Sequence, residues 1–221
     1  MTADVELLPK YTKEEEIYNS SSHFIGALFG VGALITFIVL GILKGYSFIY
    51  MIPFYVYAIF MIAMFFVSGF YHSRRFNSKS RAITRIVDHS DIYAFVAATY
   101  YPICIYGIAN QTAAITILII QVTLGITGIV LSVIPNDSRL IKFFTFLIYI
   151  IQGWLLIFFY PFDIGIPFLP FLFILIGGIA YTIGSILYGI GRYKRWSHTW
   201  FHAFVLIAAV LQFVGILFLI V

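Results

Sequence analysis

Seven apolar runs, each long enough to cross a bilayer and separated by short charged, Gly-bearing or Pro-bearing segments, constrain this chain more than any other feature. They are His23–Leu43, Phe48–His72, Ile86–Gly107, Ala113–Ile134, Ile141–Tyr160, Pro167–Ile190 and His198–Val221. Hydrocarbon cannot hydrate a backbone, and the runs are too continuously apolar for barrel strands, so each is expected to be a helix. The expected fold is therefore an all-α membrane protein, a seven-transmembrane helix bundle. Only 10% of the 221 residues are charged and 62% are hydrophobic, whereas a soluble domain carries about a quarter charged residues. A water-soluble enzyme is excluded. The fifth run is the weakest, because Gln152 and Gly153 interrupt it.

Basic residues set the expected orientation, since they accumulate in short cytoplasmic segments. Lys10, Lys13, Arg74, Arg75, Lys79, Arg81, Arg85, Arg139, Lys142, Arg192, Lys194 and Arg195 fall on one side, and Lys44 alone falls on the other. This predicts a cytoplasmic N-terminus, with residues 1–20 as a cytoplasmic tail, residues 21–221 as the transmembrane domain and the C-terminus outside. No cleavable signal peptide is expected, because the first twenty-two residues are polar and mixed in charge. The net charge of +4 follows from topology rather than from nucleic-acid binding. The single cysteine, Cys104, is expected to pack as a small hydrophobe. Gly26-x3-Gly30 and Ser185-x3-Gly189 read as close helix contacts, and Pro102 as a kink in the third helix.

Ionisable groups inside spans are expensive and usually mark function. His23, His72, Asp88, His198 and His202 come from four helices, yet all fall at one depth, just inside the cytoplasmic boundary. His198 and His202 are one helical turn apart and can face one ion, and His72 supplies a third nitrogen, the ligand number usual for catalytic zinc. Zinc suits three neutral imidazoles, although nickel, copper or iron would also bind such a set. Asp88 reads either as a fourth ligand or as an acceptor and general base for the site's water. Ser68, one turn before His72, could steady that water, a substrate oxygen or Asp88; its alternative is a bond back to its own helix. His89 and Asp91 read as supporting or helix-terminal groups. Glu14, Glu15 and Glu16 followed by Asn19, Ser20, Ser21 and Ser22 have the chemistry of an N-cap for the first helix.

Glu16-x2-Asn19-x3-His23, Ser68-x3-His72 followed by Asp88, and His198-x3-His202 resemble the three signature motifs of the progestin and adipoQ receptor family, in the manner of its bacterial hemolysin III branch. The resemblance extends from about residue 12 to 221 and includes Val87–Tyr93, Gly153-Trp154 and the Gly177-Gly178-x2-Tyr181-Thr182-x-Gly184 segment. It implies zinc held by His72, His198 and His202, with Asp88 on the zinc-bound water and Ser68 in the site. It also makes Glu16, Asn19 and His23 a motif that closes the site from below, and implies a multi-pass protein of a bacterial plasma membrane. The third span departs from the family around Ala98-Thr99-Tyr100-Tyr101-Pro102, which bears on pocket shape rather than on the metal.

Three functions are consistent with these residues. The first is a membrane-embedded zinc amidase or esterase, ceramidase-like, acting on a lipid. The second is a non-catalytic regulator or sensor of membrane lipid homeostasis. The third is a cytolysin, which the apolar centres of most spans make a poor pore. In each case the expected partners are membrane lipids.

Overall fold

The computed structural model describes residues 11–76, 78–134, 138–160, 164–191 and 194–221, together with the helical backbone but not the side chains of Arg139 and Lys142. Lys10 and Arg192 of the orientation argument lie outside the described residues. The described residues form seven helices and no strand: α1 (Lys13–Leu43), α2 (Phe48–Ser73), α3 (Lys79–Pro102), α4 (Gln111–Val133), α5 (Arg139–Phe159), α6 (Phe168–Ile190) and α7 (Ser197–Leu217). The chain is all-helical. α1, α2, α4, α6 and α7 are long and apolar enough to cross a membrane. α3 falls short because Lys79, Arg81, Arg85, Asp88 and Asp91 crowd its first half, and in α5 the continuous stretch of described side chains that is apolar runs over Phe143–Phe159.

α1 packs along α2, α2 along α3, α3 along α4 and α6 along α7, with α7 returning to α1. Phe37, Phe54, Tyr57, Met61 and Phe65 are fully buried between these helices. Large apolar side chains such as Ile42, Ile49, Ile119, Phe158 and Ile186 point outward. So continuous an apolar exterior is untenable for a soluble monomer and suits lipid.

Gly26 and Gly30 do let helices approach: a Cβ on Gly26 would run into the Phe65 ring, and one on Gly30 into Ile62. Phe65 in turn lies edge-on to His23. Gly26→Ala is expected to cost about 1–3 kcal/mol through overpacking, read as a lower melting temperature in detergent; an unchanged melt would show that Phe65 yields freely. Gly189 meets nothing, and Ser185 bonds back to the Tyr181 carbonyl. The close contacts of α6 with α7 come from Gly177, Gly184 and Gly215 instead.

One sequence expectation is corrected here. The N-cap of α1 is Thr12, whose hydroxyl accepts from the Glu15 N–H while the Glu15 carboxylate accepts from the Thr12 N–H. With the helix opening there, Asn19 to Ser22 are internal, and Ser20 donates across to the Gly69 carbonyl of α2. Pro102 is the last residue of α3, and the chain continues directly as a π-helical turn, Ile103–Gly107. The Ile103 N–H meets the Tyr100 carbonyl, and the Ile108 N–H closes the turn on the Ile103 carbonyl.

The polar interruption of the fifth run has a packing reason. Gln152 is fully buried, and its amide donates to the Tyr93 and Gln121 carbonyls at 3.0 and 3.3 Å. Gln121 donates to the Gln152 carbonyl at 2.7 Å. The pair ties α3, α4 and α5 together where no hydrophobic force favours one apolar helix face over lipid.

Candidate metal centre

α2 ends, and α1, α3 and α7 begin, at one end of the bundle, so that end gathers His72, Glu16, Arg81, His198 and His202. The register of α7 is set by Trp196, which takes a left-handed backbone (φ 65°) and donates its N–H to Glu15 at 2.7 Å. Glu15 thus caps α1 and anchors the start of α7, which places His198 and His202 in that helix's first turns.

The Nε2 atoms of His72, His198 and His202 converge. His202 lies 3.1 Å from His72 and 3.0 Å from His198, and the third side of the triangle is 3.4 Å. All three side chains are buried. Tetrahedral Zn–N bonds of about 2.0–2.1 Å require nitrogens roughly 3.3 Å apart, so the triangle is the size that one small cation would bridge. Among the described residues, these three histidines form the one group able to hold a metal ion.

The protonation pattern points the same way. His72 Nδ1 lies 2.7 Å from Glu16 Oε2. A carboxylate only accepts, so Nδ1 donates and Nε2 is left as a lone pair. His202 Nδ1 is held in a short hydrogen bond by His23 Nε2. With the proton on His202 Nδ1, its Nε2 is a second lone pair aimed at the first. Such an arrangement is repulsive unless a cation sits between, and the carboxylate behind His72 is the kind of support that orients metal-binding imidazoles.

Glu16 is itself held. Its other oxygen takes a short ion pair from Arg81 Nη2, while Arg81 Nη1 donates to the Arg74 carbonyl at 3.0 Å. Arg81, read from sequence as a cytoplasmic-side charge, is 1% exposed and lies within α3. Tyr11 stacks on His198 with ring centroids 4.6 Å apart, closing the site on its outer side. Burial, followed by nearby tyrosines, pushes the Tyr11 phenol above its usual range, so it stays protonated there.

Ser68 is buried one turn below His72. Asp88 stands outside the three-nitrogen group, within electrostatic reach of His23 and His198, facing the Ser68 hydroxyl and 3.5 Å from His89 Nδ1. His89 Nε2 meets the Tyr188 hydroxyl at 3.1 Å, which braces α3 against α6. Asn19 and Asp91 are buried side chains whose polar atoms meet no partner among the described residues. The motif residues Glu16 and His23 thus back two of the three imidazoles, those of His72 and His202, and Asn19 lies between them on the same face of α1. The pairing of Arg81 with Glu16, the stacking of Tyr11 and the bond from Trp196 to Glu15 were missed from sequence. Only the absence of any other acid facing the Arg74–Arg85 charges could have hinted that Glu16 pairs with Arg81.

Comparison with known proteins finds relatives over nearly the whole chain. The family model described as "Haemolysin-III related" matches residues 11–213. The chain is 32% identical over 209 residues to a hemolysin-3 homolog of Bacillus subtilis (strain 168), covering 94% of this chain and 95% of that one. It is 32% identical over 219 residues to hemolysin-3 of Bacillus cereus, covering 99% and 97%. From residue 11 to beyond the second histidine of α7, this chain belongs to the haemolysin-III-related family.

Proposed function

We propose that the protein is a seven-span integral membrane protein of the cell membrane with a cytoplasmic N-terminus, and that it hydrolyses an amide or ester bond of a lipid with zinc held by His72, His198 and His202. The observation that carries this reading is the convergence of three buried Nε2 atoms backed by Glu16 and His23. Orientation rests on the basic residues, since Arg74, Arg81 and Arg85 stand at the metal end. Lys44 at the other end reaches the Val221 carbonyl at 3.0 Å.

Bound zinc would polarise an acyl carbonyl and acidify water at the site. The chain's own groups do the rest. Asp88 accepts the proton of the attacking water at its carboxylate and returns it to the departing amine or alcohol. Ser68 orients that carboxylate from one turn below His72, and His89 holds its far side. Tyr11 and the buried helix ends keep bulk water away from the imidazoles.

The expected result for Asp88→Asn is full metal content with lipid turnover reduced by at least about 100-fold, the scale of general-base catalysis. Mass spectrometry of ceramides and phospholipids incubated with the protein in bilayers reads the product. No metal-dependent product from the unaltered protein would sink the hydrolase, and an Asp88→Asn protein with full cellular function would favour a regulator of membrane lipids. The relatives' name suggests lysis as another reading. The fully buried Phe37, Phe54, Met61 and Phe65 fill the α1–α2 contact rather than line a channel.

A further inference from the structure

Beside the metal centre, between the start of α1 and the end of α2, lies a cavity of about 520 Å³. Lys13, Arg74 and Arg81 supply its charge, and Glu16 is its one acid. Both Glu16 oxygens are taken, by His72 and by Arg81. Arg74 is different. Its guanidinium stacks 3.6 Å over Phe70 and its Nε is buried without a partner among the described residues. Lys13 is exposed at the cavity's edge, with the exposed Glu14 carboxylate next to it outside the cavity. Among the described residues that line the cavity, Arg74 and Lys13 keep donors to offer, and the one lining carboxylate is already spent on His72 and Arg81.

We propose that this cavity binds a phosphoryl group, independently of the metal chemistry. A guanidinium fork and an ammonium together match the several oxygens of phosphate better than the two of a carboxylate. The volume exceeds what a bare anion needs and lies in the range of small-molecule sites. Ile17 and Phe76 form an apolar edge, 54% and 36% exposed. That edge sits where a lipid's glycerol and first methylenes would lie if its phosphate entered at the membrane boundary. The shared chemistry is the phosphoryl group, carried by a lipid headgroup or by free phosphate.

The test is binding to the purified full chain, measured by calorimetry with three probes: dihexanoyl phosphatidylglycerol, inorganic phosphate and dihexanoylglycerol, which lacks phosphate. Saturable binding of the phosphatidylglycerol but not of dihexanoylglycerol is expected. Arg74→Ala should weaken it by about tenfold or more, the loss typical of a charge-assisted hydrogen bond, with Arg74→Lys recovering part. Equal binding of inorganic phosphate identifies the free anion as ligand, and binding of the lipid alone identifies the headgroup. His202→Ala, which lies outside the cavity, separates the pocket from the metal. If that variant abolishes binding while Arg74→Ala and Lys13→Ala leave it intact, the phosphate sits on the metal and the proposal fails. Indifference to all three variants, or equal binding of dihexanoylglycerol, overturns it as well. Thermal melts accompany each variant, and where His202→Ala does not fold, chelator-treated protein replaces it.

Discussion

Purified His202→Ala protein is expected to carry less than about a tenth of an equivalent of metal, against about one per chain for the unaltered protein, because a three-nitrogen site reduced to two loses its chelate. His202 is the choice because it touches both other ligands and because His23 fixes its ring from behind. Elemental analysis after brief dialysis reads the loss. A second readout separates metal loss from misfolding. A metal that binds only the folded state raises the melting temperature, so a chelator should lower the melt of the unaltered protein and leave His202→Ala unmoved. Stoichiometric metal retained by the variant would remove His202 from the site.

Glu16→Gln is the second large effect, and it tests a partner that the tertiary structure supplied. A carboxylate can accept from His72 Nδ1 and from Arg81 at once. A glutamine has one oxygen, so its NH₂ must face one of those two donors. Either the His72 tautomer is disturbed or Arg81, 1% exposed, is left without its counter-ion. Loss of such a supporting group typically weakens metal binding by about 10–100-fold, and uncovering a buried cation destabilises by about 3–5 kcal/mol. Competition against a chelator of known affinity reads the first effect, and thermal melts read the second. Arg81→Met in the Glu16→Gln background should recover stability, since the orphaned cation is gone, without restoring full affinity. An affinity within about twofold of the unaltered protein would show that Glu16 merely neutralises Arg81 and does not tune His72.

The Glu16 result also shows where sequence reading stopped. The run Glu14–Ser22 has the residue types of an N-cap, and a cap was expected there. The structure begins α1 at Lys13 under Thr12, and Glu16 turns inward to α2 and α3. Capping chemistry is short-range and can be satisfied at several neighbouring positions, so composition does not select among them. Gln152 was likewise read as a weakness in a span, because its partners, the Tyr93 and Gln121 carbonyls, belong to other helices.

What the sequence by itself determined was the helical class, most helix boundaries to within a few residues and the shared face of the histidine pair on α7. The expected second run, Phe48–His72, differs from α2 by one residue. These are local properties: hydrophobic run length is set by hydrocarbon thickness, and two residues four apart share a helix face whatever surrounds them. Tertiary structure decided which residues stand behind the three histidines. Glu16 meets His72 across 56 positions and Arg81 across 65, and Glu15 meets Trp196 across 181. Only the packing of α1 against α2, α3 and the start of α7 brings those groups within hydrogen-bond reach. No local periodicity carries that information, because a buried charge and a solvated one are the same letter until a neighbouring helix covers it.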